Sequence, residues 1–401
     1  MLSGRDAGSP GTLAASVCSS SLNEFPIRSR PYAGLEIASL HFLPGRGGTM
    51  TAATATAKYD GTGAFPEAEP AARAPRQRGM QVAVTMILVA GPFVGLVIAL
   101  WMLWGRGVGL ADIGLAVFFY LLTGFGVTVG FHRCLTHRSF TARPALRVAL
   151  AIAGSMSFEG DVITWTATHR RHHAFTDRPG DPHSPYRFGT GPVGQLRGLA
   201  HAHVGWLFGS DPIPTSPQRY APDLLADRSM QRVSSAFPAL CVASLALPAA
   251  IGWALGAGSA RAALLALLWA GLVRIFLLQH VTWSVNSLCH LLGNRPFTTR
   301  RHDRATNLWP LAVLSLGESW HNTHHSDPAC ARHGVDRGQI DLSAGLIRMF
   351  ERAGWVSGVR WPSAARLERR RRLPVDVAAQ VPGRSPVLTP APDGAARATS
   401  T

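Results

Sequence analysis

Four apolar blocks constrain this chain of 401 residues more than any other feature of its sequence. They cover residues 80–104, 108–131, 237–255 and 262–284. Together they contain only two charged residues, Asp112 and Arg274. Each block reaches or approaches the roughly 20 residues that an α-helix needs to cross the hydrocarbon core of a bilayer. The sequence therefore predicts four transmembrane helices in two hairpins, rather than the buried core helices of a large soluble protein.

The arginines are distributed unevenly around the apolar blocks. Several precede the first and third blocks or follow the second and fourth, whereas the two short connections contain only Arg106 and Arg261. Because cytoplasmic loops of membrane proteins carry an excess of Lys and Arg, both termini are predicted to be cytoplasmic. We expect the long segments 132–232 and 286–361 to form a helical cytosolic cap on the same side. The Ala-, Gly- and Arg-rich composition is typical of bacteria, so the predicted location is the bacterial cell membrane.

The segments outside residues 80–361 have no long apolar period. Residues 1–79 are rich in Ala, Gly, Ser, Thr and Pro, and residues 362–401 are rich in Arg, Pro and Ala. Such compositions are typical of disordered chains. The sequence that follows Met50 resembles an ordinary protein start, so the first 49 residues are interpreted as an over-extended gene start.

The overall composition limits the classes of partner. The chain is 47% hydrophobic and 15% charged, which is not typical of a soluble domain. Its formal net charge of +16 would suit nucleic acid, anionic lipid or an acidic protein. Because no nucleic-acid-binding motif is present, a membrane surface and an acidic electron carrier are favoured. The five cysteines are scattered and form no C-x-x-C pair, which argues against a disulfide framework or a zinc ribbon.

Ten polar residues lie at or just beyond the predicted cytoplasmic membrane surface. They are His132, His137, His169, His172, His173, Asn286, His290, His321, His324 and His325. Two groups share the pattern H-x-x-H-H, and positions i, i+3 and i+4 lie on one face of a helix. Neutral imidazole is a common ligand of redox metals. Nine histidines are too many for one ion and suit two.

Two local features decide whether these ten residues can meet in one metal site. His132 and His137 are five residues apart, or about 140° around an α-helix, so we expect the helix to end or turn between them. The apolar segment 145–158 has only 14 residues, which suits an interfacial or re-entrant helix better than a span. If that segment crossed the bilayer, His132 and His169 would face opposite sides and could not share a metal centre.

The other seven histidines and six acidic residues are not predicted to be metal ligands. Seven histidines are expected to be exposed or satisfied, although His183 lies in a loop predicted to be near the site: His41, His183, His201, His203, His280, His302 and His333. Six acidic residues are candidates to orient the imidazoles, with surface positions or helix caps as the alternative: Glu159, Asp161, Asp177, Asp181, Glu318 and Asp327. Zinc prefers four ligands and has no redox chemistry, whereas imidazole-rich sites with open positions suit iron and oxygen.

The complete pattern resembles the membrane fatty-acid desaturase family, and specifically its Δ9 acyl-lipid and acyl-CoA branch, which includes the stearoyl-CoA desaturases. The matching stretches are 130–138, 165–184, 282–290 and 317–325, within a resemblance that covers roughly residues 80–360. The combination of all four stretches is highly specific, whereas any one of them would be a weak signal.

The resemblance implies a fold, a cofactor and a reaction. It implies a di-iron centre held by the nine histidines above, with Asn286 reaching one iron through a water molecule. It also implies a bent apolar tunnel for the acyl chain, with Trp165, Thr282 and Trp283 close to it. The implied reaction uses O2 to introduce a cis double bond at Δ9 of a saturated acyl chain. Because no haem, flavin or iron–sulfur motif is present, a separate ferredoxin or flavin/iron–sulfur reductase is expected to supply two electrons.

The chain departs from the family pattern at one pair of positions, and two alternative functions stay open. Animal acyl-CoA desaturases have an Arg-Asp pair where this chain has Ala167 and Thr168, which weakens the prediction of a CoA thioester and leaves lipid- or carrier-bound chains open. A histidine-box hydroxylase of alkyl chains would share the metals and the membrane. A non-enzymatic metal-binding or transport protein is the other alternative, but transport sites usually lie near the bilayer midplane.

Overall fold

A computed structural model describes residues 75–103, 108–209 and 215–371, which all belong to one compact unit of the chain. The predicted disordered segment 1–79, with the alternative start at Met50, lies outside the described residues except for its last five positions. Most of the predicted disordered tail 362–401 also lies outside them. Within the described part, a helix over Ala364–Arg370 follows residue 361, where the sequence predicts the membrane domain to end.

Helices make up nearly all of the regular structure. In chain order they are α1 (Pro75–Leu103), α2 (Leu110–Phe125), α3 (Pro144–Ser155), α4 (Val162–Phe175), α5 (Pro192–His203), α6 (Pro217–Tyr220), α7 (Pro222–Leu225), α8 (Arg228–Ser235), α9 (Phe237–Leu255), α10 (Ala260–Ala266), α11 (Arg274–Ser287), α12 (His321–Ser326), α13 (Leu342–Arg352) and α14 (Ala364–Arg370). Two π-helices, π1 (Gly126–Thr136) and π2 (Leu267–Val273), extend α2 and join α10 to α11. Single 3₁₀ turns cover Gly205–Leu207, Leu288–His290 and Trp309–Leu311. The strands β1 (Thr141–Ala142) and β2 (Val356–Ser357) pair antiparallel.

Within the described part of the chain, four continuous helical stretches are long and apolar enough to cross a membrane. They are Gly79–Met102, Leu110–Thr136, Phe237–Leu255 and Ala260–His290. The second combines α2 with π1, and the fourth combines α10, π2, α11 and the following 3₁₀ turn. Helix α3, with 12 residues, is apolar but too short to span. The prediction of an all-α membrane protein with four transmembrane helices is confirmed.

Arg274 connects the helices in the membrane-spanning part. Its side chain is only 2% exposed. The guanidinium donates to Thr123 Oγ1 on α2 (3.2 Å), to the Met156 carbonyl after α3 (3.2 Å) and to the Ser244 carbonyl on α9 (3.1 Å). A charge inside the bilayer is costly unless it faces protein or water. These contacts place the Arg274 guanidinium among polar groups of the protein.

The π1 helix lies at the centre of the protein, between two apolar clusters. On one side Phe131 and Leu135 pack with residues of α3, α4, α7 and α8. On the other side Val129 and Cys134 pack with residues of α3, α13 and β2. Every residue of π1 is buried. The segment that carries the first two candidate ligands is therefore held from both sides.

Glycines allow π1 to contact α3 through the backbone. A Cβ atom on Gly126 would lie 2.1 Å from the Gly154 amide nitrogen, and one on Gly130 would lie 2.9 Å from the Leu150 Cβ. No larger residue fits at Gly126 unless the two helices separate, because real Cβ atoms do not approach backbone this closely. This contact fixes the position of His132 relative to the rest of the fold.

Candidate metal centre

The π1 helix brings His132 and His137 together. The His137 amide donates to the His132 carbonyl (3.1 Å), which is an i→i+5 bond, and the two ring centroids are 4.8 Å apart. In an α-helix these side chains would diverge by about 140°. The helix does not end between them. The α-helix widens instead into a π-helix that continues to Thr136, and this wider turn puts both side chains on one face, as expected. π-Helical segments are rare and frequently mark functional sites.

The other candidate ligands come from two short elements and the end of the fourth span. Helix α4 presents His169, His172 and His173, and its N-terminus is capped by Asp161, which accepts from the Ile163 and Thr164 amides. Helix α12, only six residues long and fully buried, presents His321, His324 and His325. Asn286 lies near the end of α11, and His290 ends the 3₁₀ turn that follows.

All nine histidines converge, and they form two groups. The first contains His132, His137, His169, His173 and His324, and the second contains His172, His290, His321 and His325. Within each group, one ligand atom per residue lies within 4.8 Å of all the others. Both H-x-x-H-H motifs divide their imidazoles between the groups, so α4 and α12 each contribute to both.

The spacing of the ring nitrogens fits metal coordination. The closest Nε2 pairs are His132–His324 (3.1 Å), His169–His173 (3.1 Å), His173–His324 (3.0 Å), His172–His325 (3.4 Å) and His290–His321 (3.2 Å). Two nitrogens bound at about 2.1 Å from one ion, at roughly a right angle, are about 3.0 Å apart. His137 Nε2 is buried without a hydrogen-bond partner among the described residues, as expected of an atom that binds an ion.

Burial keeps most of these imidazoles in the form that binds metals. It lowers the pKa of His137, His169, His173, His321, His324 and His325 well below the ordinary value, and neighbouring imidazoles lower these pKa values further. Only a neutral imidazole offers a nitrogen lone pair to a metal ion. These six imidazoles are therefore kept in the neutral form that can bind a metal ion.

Four buried carboxylates orient the rings from behind. Three of them accept a hydrogen bond from Nδ1, in the pairs Asp181–His172 (3.0 Å), Asp177–His290 (2.8 Å) and Asp303–His325 (2.8 Å). The fourth, Glu318, has its Oε2 atom 2.6 Å from His132 Nδ1. A hydrogen bond at Nδ1 fixes the tautomer and directs the Nε2 lone pair inward. Burial alone would raise the pKa of the Glu318 carboxyl, but His132 and Arg133 hold that pKa well below its ordinary value.

Only three of the six acidic candidates contact the imidazoles in this way. Asp161 is the cap of α4, and Asp327 pairs with Arg366 (2.7 Å). Glu159 hydrogen-bonds Thr282 instead, and burial raises its pKa to about 8. The sequence reasoning did not identify Asp303, which lies 22 residues before its partner His325 in an irregular segment.

Two histidines that the sequence leaves without a role are part of this site. The His183 ring stacks on His172 (4.4 Å between centroids), and burial lowers its pKa to about 3. His333 Nδ1 is 3.3 Å from Glu318 Oε2, and its ring lies 4.5 Å from that of His324. His183 thus lies beside the site, as expected for its loop, and both rings are buried rather than exposed. His302 is exposed and His203 hydrogen-bonds His280 (3.0 Å), whereas His41 lies outside the described residues.

Asp303 allows a direct test of the carboxylates that orient the imidazoles. We expect Asp303→Ala to weaken metal binding about 10- to 100-fold, because loss of such a partner lets the ligand ring rotate. Competition with a metal chelator measures this change. Asp336→Ala is the matched control, because that carboxylate is 35% exposed and its described partners are Arg371 and Gln339 rather than a histidine. Equal chelator resistance in both variants would contradict the role of Asp303.

An apolar cavity opens beside both histidine groups. Its walls include Val127, Leu278, Val281, Val285, Leu314 and Leu316. Its polar lining includes His132, His169, His321, Glu318 and Asn286.

Two of the three residues expected near a tunnel line this cavity. Trp165 and Thr282 do so, and Trp165 also stacks on His169 with ring centroids 5.1 Å apart. Trp283 is absent from the described lining. Its ring contacts His203 (5.9 Å) and His280 (5.1 Å) instead.

Comparison with known proteins agrees with this arrangement. The family model described as fatty acid desaturase matches residues 108–339. The hex-5-enoyl-[acyl-carrier protein] acetylenase of Moorena producens is 37% identical over 296 residues, covering 73% of this chain and 91% of that protein. The acyl-CoA C20 Δ5-desaturase of Anemone leveillei is 37% identical (61% and 72% covered), and the sn-1 stearoyl-lipid 9-desaturase of Anabaena variabilis is 33% identical (62% and 84% covered). The chain thus belongs to the fatty acid desaturase family.

Proposed function

We propose that this protein is an oxygen-dependent fatty acyl desaturase that introduces a cis double bond at Δ9 of a saturated acyl chain. One observation carries the proposal beyond family membership. The apolar cavity is lined by His132 and His169 from the first histidine group and by His321 from the second. An acyl chain in this cavity would therefore lie against both groups at once.

The proposed reaction is balanced by two electrons and two protons. It converts –CH2–CH2– with O2, 2 e⁻ and 2 H⁺ into –CH=CH– with two water molecules. Two iron ions, when bound, would supply the oxidising power taken from O2. The first would be held by the five-histidine group, and the second by the four-histidine group with Asn286 reaching it through water.

The protein's own contribution would be positioning and exclusion of water. A methylene group offers neither charge nor hydrogen bond, so the walls must select it by its position along the chain. The aliphatic residues Leu278, Val281 and Leu316 supply the apolar surface, while Trp165 holds the His169 ring by stacking. Thr282 supplies a polar point on the wall, fixed from behind by its hydrogen bond with Glu159.

The site of unsaturation and the acyl carrier are inferred from the relatives. Their names include stearoyl-lipid 9-desaturases, an acyl-CoA Δ5-desaturase and an acyl-carrier-protein acetylenase. We assign the double bond to Δ9 because the histidine motifs are of the Δ9 type. We propose that the acyl chain is linked to CoA or to a lipid. Ala167 and Thr168 in place of an Arg-Asp pair favour the lipid-linked form.

The proposal includes an orientation and an electron source. The arginine distribution supports a bacterial cell membrane location with both termini and the metal centre in the cytoplasm. Because the sequence has no haem, flavin or iron–sulfur motif, a separate ferredoxin or flavin/iron–sulfur reductase would deliver the electrons.

Product analysis tests the function. We expect expression in a bacterial host that lacks its own desaturase to yield a monounsaturated acyl chain, with the double bond at carbon 9 by mass spectrometry. His172→Ala should yield none, because His172 belongs to the second histidine group. A hydroxylated product without an alkene would identify a hydroxylase. Purified protein without iron after expression with ample iron would favour a metal-binding or transport protein.

A further inference from the structure

Residues 300–304 form a loop that directly covers the metal centre. Asp303 Oδ2 accepts from His325 Nδ1 (2.8 Å). The exposed Arg300 donates from Nη1 to the His173 carbonyl (2.9 Å). The loop therefore contacts one histidine from each group.

A second connection runs through Asp177. The Arg304 amide donates to Asp177 Oδ2 (2.9 Å), and this same oxygen accepts from His290 Nδ1 (2.8 Å). Three of the five loop residues are thus within one or two hydrogen bonds of a candidate ligand. For an electron that arrives from outside, these are short routes from the protein surface to the metals.

The outer surface of the loop is strongly positive. Arg300, Arg301 and Arg304 are exposed, and the neighbouring Arg178 is exposed as well. The acidic side chains in this region face inward, since Asp177 is 0% and Asp303 is 4% exposed. Their charges are turned toward the imidazoles, so a partner approaching from solvent meets the arginines.

The loop and the cavity share no residue. The described lining of the cavity comes from segments 127–132, 165–169, 278–286 and 314–321, and includes no residue of 300–304. A molecule that contacts only the loop therefore does not occupy the cavity. An acyl carrier, in contrast, must present its chain at the cavity.

We propose that residues 300–304 and Arg178 form the docking surface for a small acidic one-electron carrier protein of the ferredoxin type. This inference rests on the proposed desaturase function. The carrier would be oxidised by one electron in each encounter, and two encounters would reduce the metal centre by the two electrons that each turnover consumes. Complementary charge accelerates such encounters, and redox complexes of this kind are small and transient.

Charge reversal at Arg301 and Arg304 tests the surface. The Arg304 contact with Asp177 uses the backbone amide, so Arg304→Glu keeps it, and the Arg301 side chain projects from the exposed part of the loop. Product formation by the full-length protein is measured with a reduced acidic plant-type ferredoxin. Separately, it is measured in a single turnover, in which the protein is reduced by dithionite without air, freed of excess dithionite and then given O2. We expect the ratio of ferredoxin-driven to dithionite-driven product to fall at least about tenfold at low salt in the double variant.

Salt supplies a second readout. The wild-type ferredoxin-driven rate should decrease as ionic strength rises, and the variant should have a flatter dependence, because screening acts on the charges that were reversed. Arg352→Glu, at the exposed end of α13, is the matched control and should keep the wild-type ratio. Iron content and thermal unfolding of each variant test folding.

The outcomes separate this proposal from the function itself. An unchanged ratio in the double variant, or an equal loss in Arg352→Glu, would overturn the docking surface while leaving the desaturase function intact. Absence of unsaturated product with dithionite in the wild type would instead reject the proposed function. A rise in KM for a carrier-protein-linked substrate, with the ferredoxin-driven ratio unchanged, would assign the surface to an acyl carrier and overturn the proposal.

Discussion

His324→Ala is expected to abolish desaturation. The His324 Nε2 atom lies 3.1 Å from His132 Nε2 and 3.0 Å from His173 Nε2, so it has the most central position in the five-histidine group. Loss of an outer partner of a metal ligand costs about 10- to 100-fold in affinity or activity. Removal of the ligand itself should exceed the upper end of that range. Iron content of the purified protein and product yield measure the two effects separately.

An exposed histidine supplies the control for this substitution. His302 lies on the surface of the loop over the metal centre, and His302→Ala should retain iron and desaturation with a chemical reductant. If His324→Ala kept wild-type iron and product, the assignment of the first group as a metal site would be wrong.

Arg133→Met is expected to reduce the free energy of unfolding by about 3–5 kcal/mol, because it leaves buried carboxylates without their counter-charge. Arg133 is 0% exposed and pairs with Glu318 (3.0 Å) and Asp341 (3.0 Å). It also donates to the Ala331 carbonyl (2.8 Å). Methionine keeps similar length and removes both the charge and the donors. The midpoint of thermal unfolding in detergent, at one fixed scan rate, measures the change.

A second arginine shows how much of that effect comes from burial. The pair Arg348–Glu351 is similarly short (2.8 Å), but its side chains are 48% and 30% exposed. We expect Arg348→Met to cost about 1–2 kcal/mol at most, including the loss of stacking on Trp361. Equal destabilisation by the two substitutions would refute the role of Arg133 as a buried connector.

The candidate metal ligands and the four membrane-spanning stretches were predictable, because each follows from a local sequence pattern. The π1 helix was not predictable in this way. A helix buried on all sides has no polar face, so its apolar pattern does not reveal the number of residues per turn. The only sequence sign of the wider turn was the five-residue spacing of His132 and His137, which an ordinary helix cannot accommodate on one face.

The contacts behind the ligands were harder to predict than the ligands. Asp303 and His333 lie in irregular segments, where no periodicity relates sequence position to the direction of the side chain.

Trp283 shows a different reason why a side-chain position was not predicted. Consecutive residues of an α-helix project about 100° apart, so Thr282 and Trp283 face different surroundings although both match the family pattern. Thr282 faces the cavity, whereas Trp283 faces His203 and His280.

Because α4 and α12 each divide their imidazoles between the two groups, two bound ions would be gained and lost together. One helical turn moves as a rigid body, so a displacement of α12 that opens the first group through His324 also shifts His321 and His325 of the second. Departure of one ion would loosen the hold on its neighbour. A preparation with half the full iron content would then be a mixture of filled and empty molecules, rather than a uniform population with one ion each.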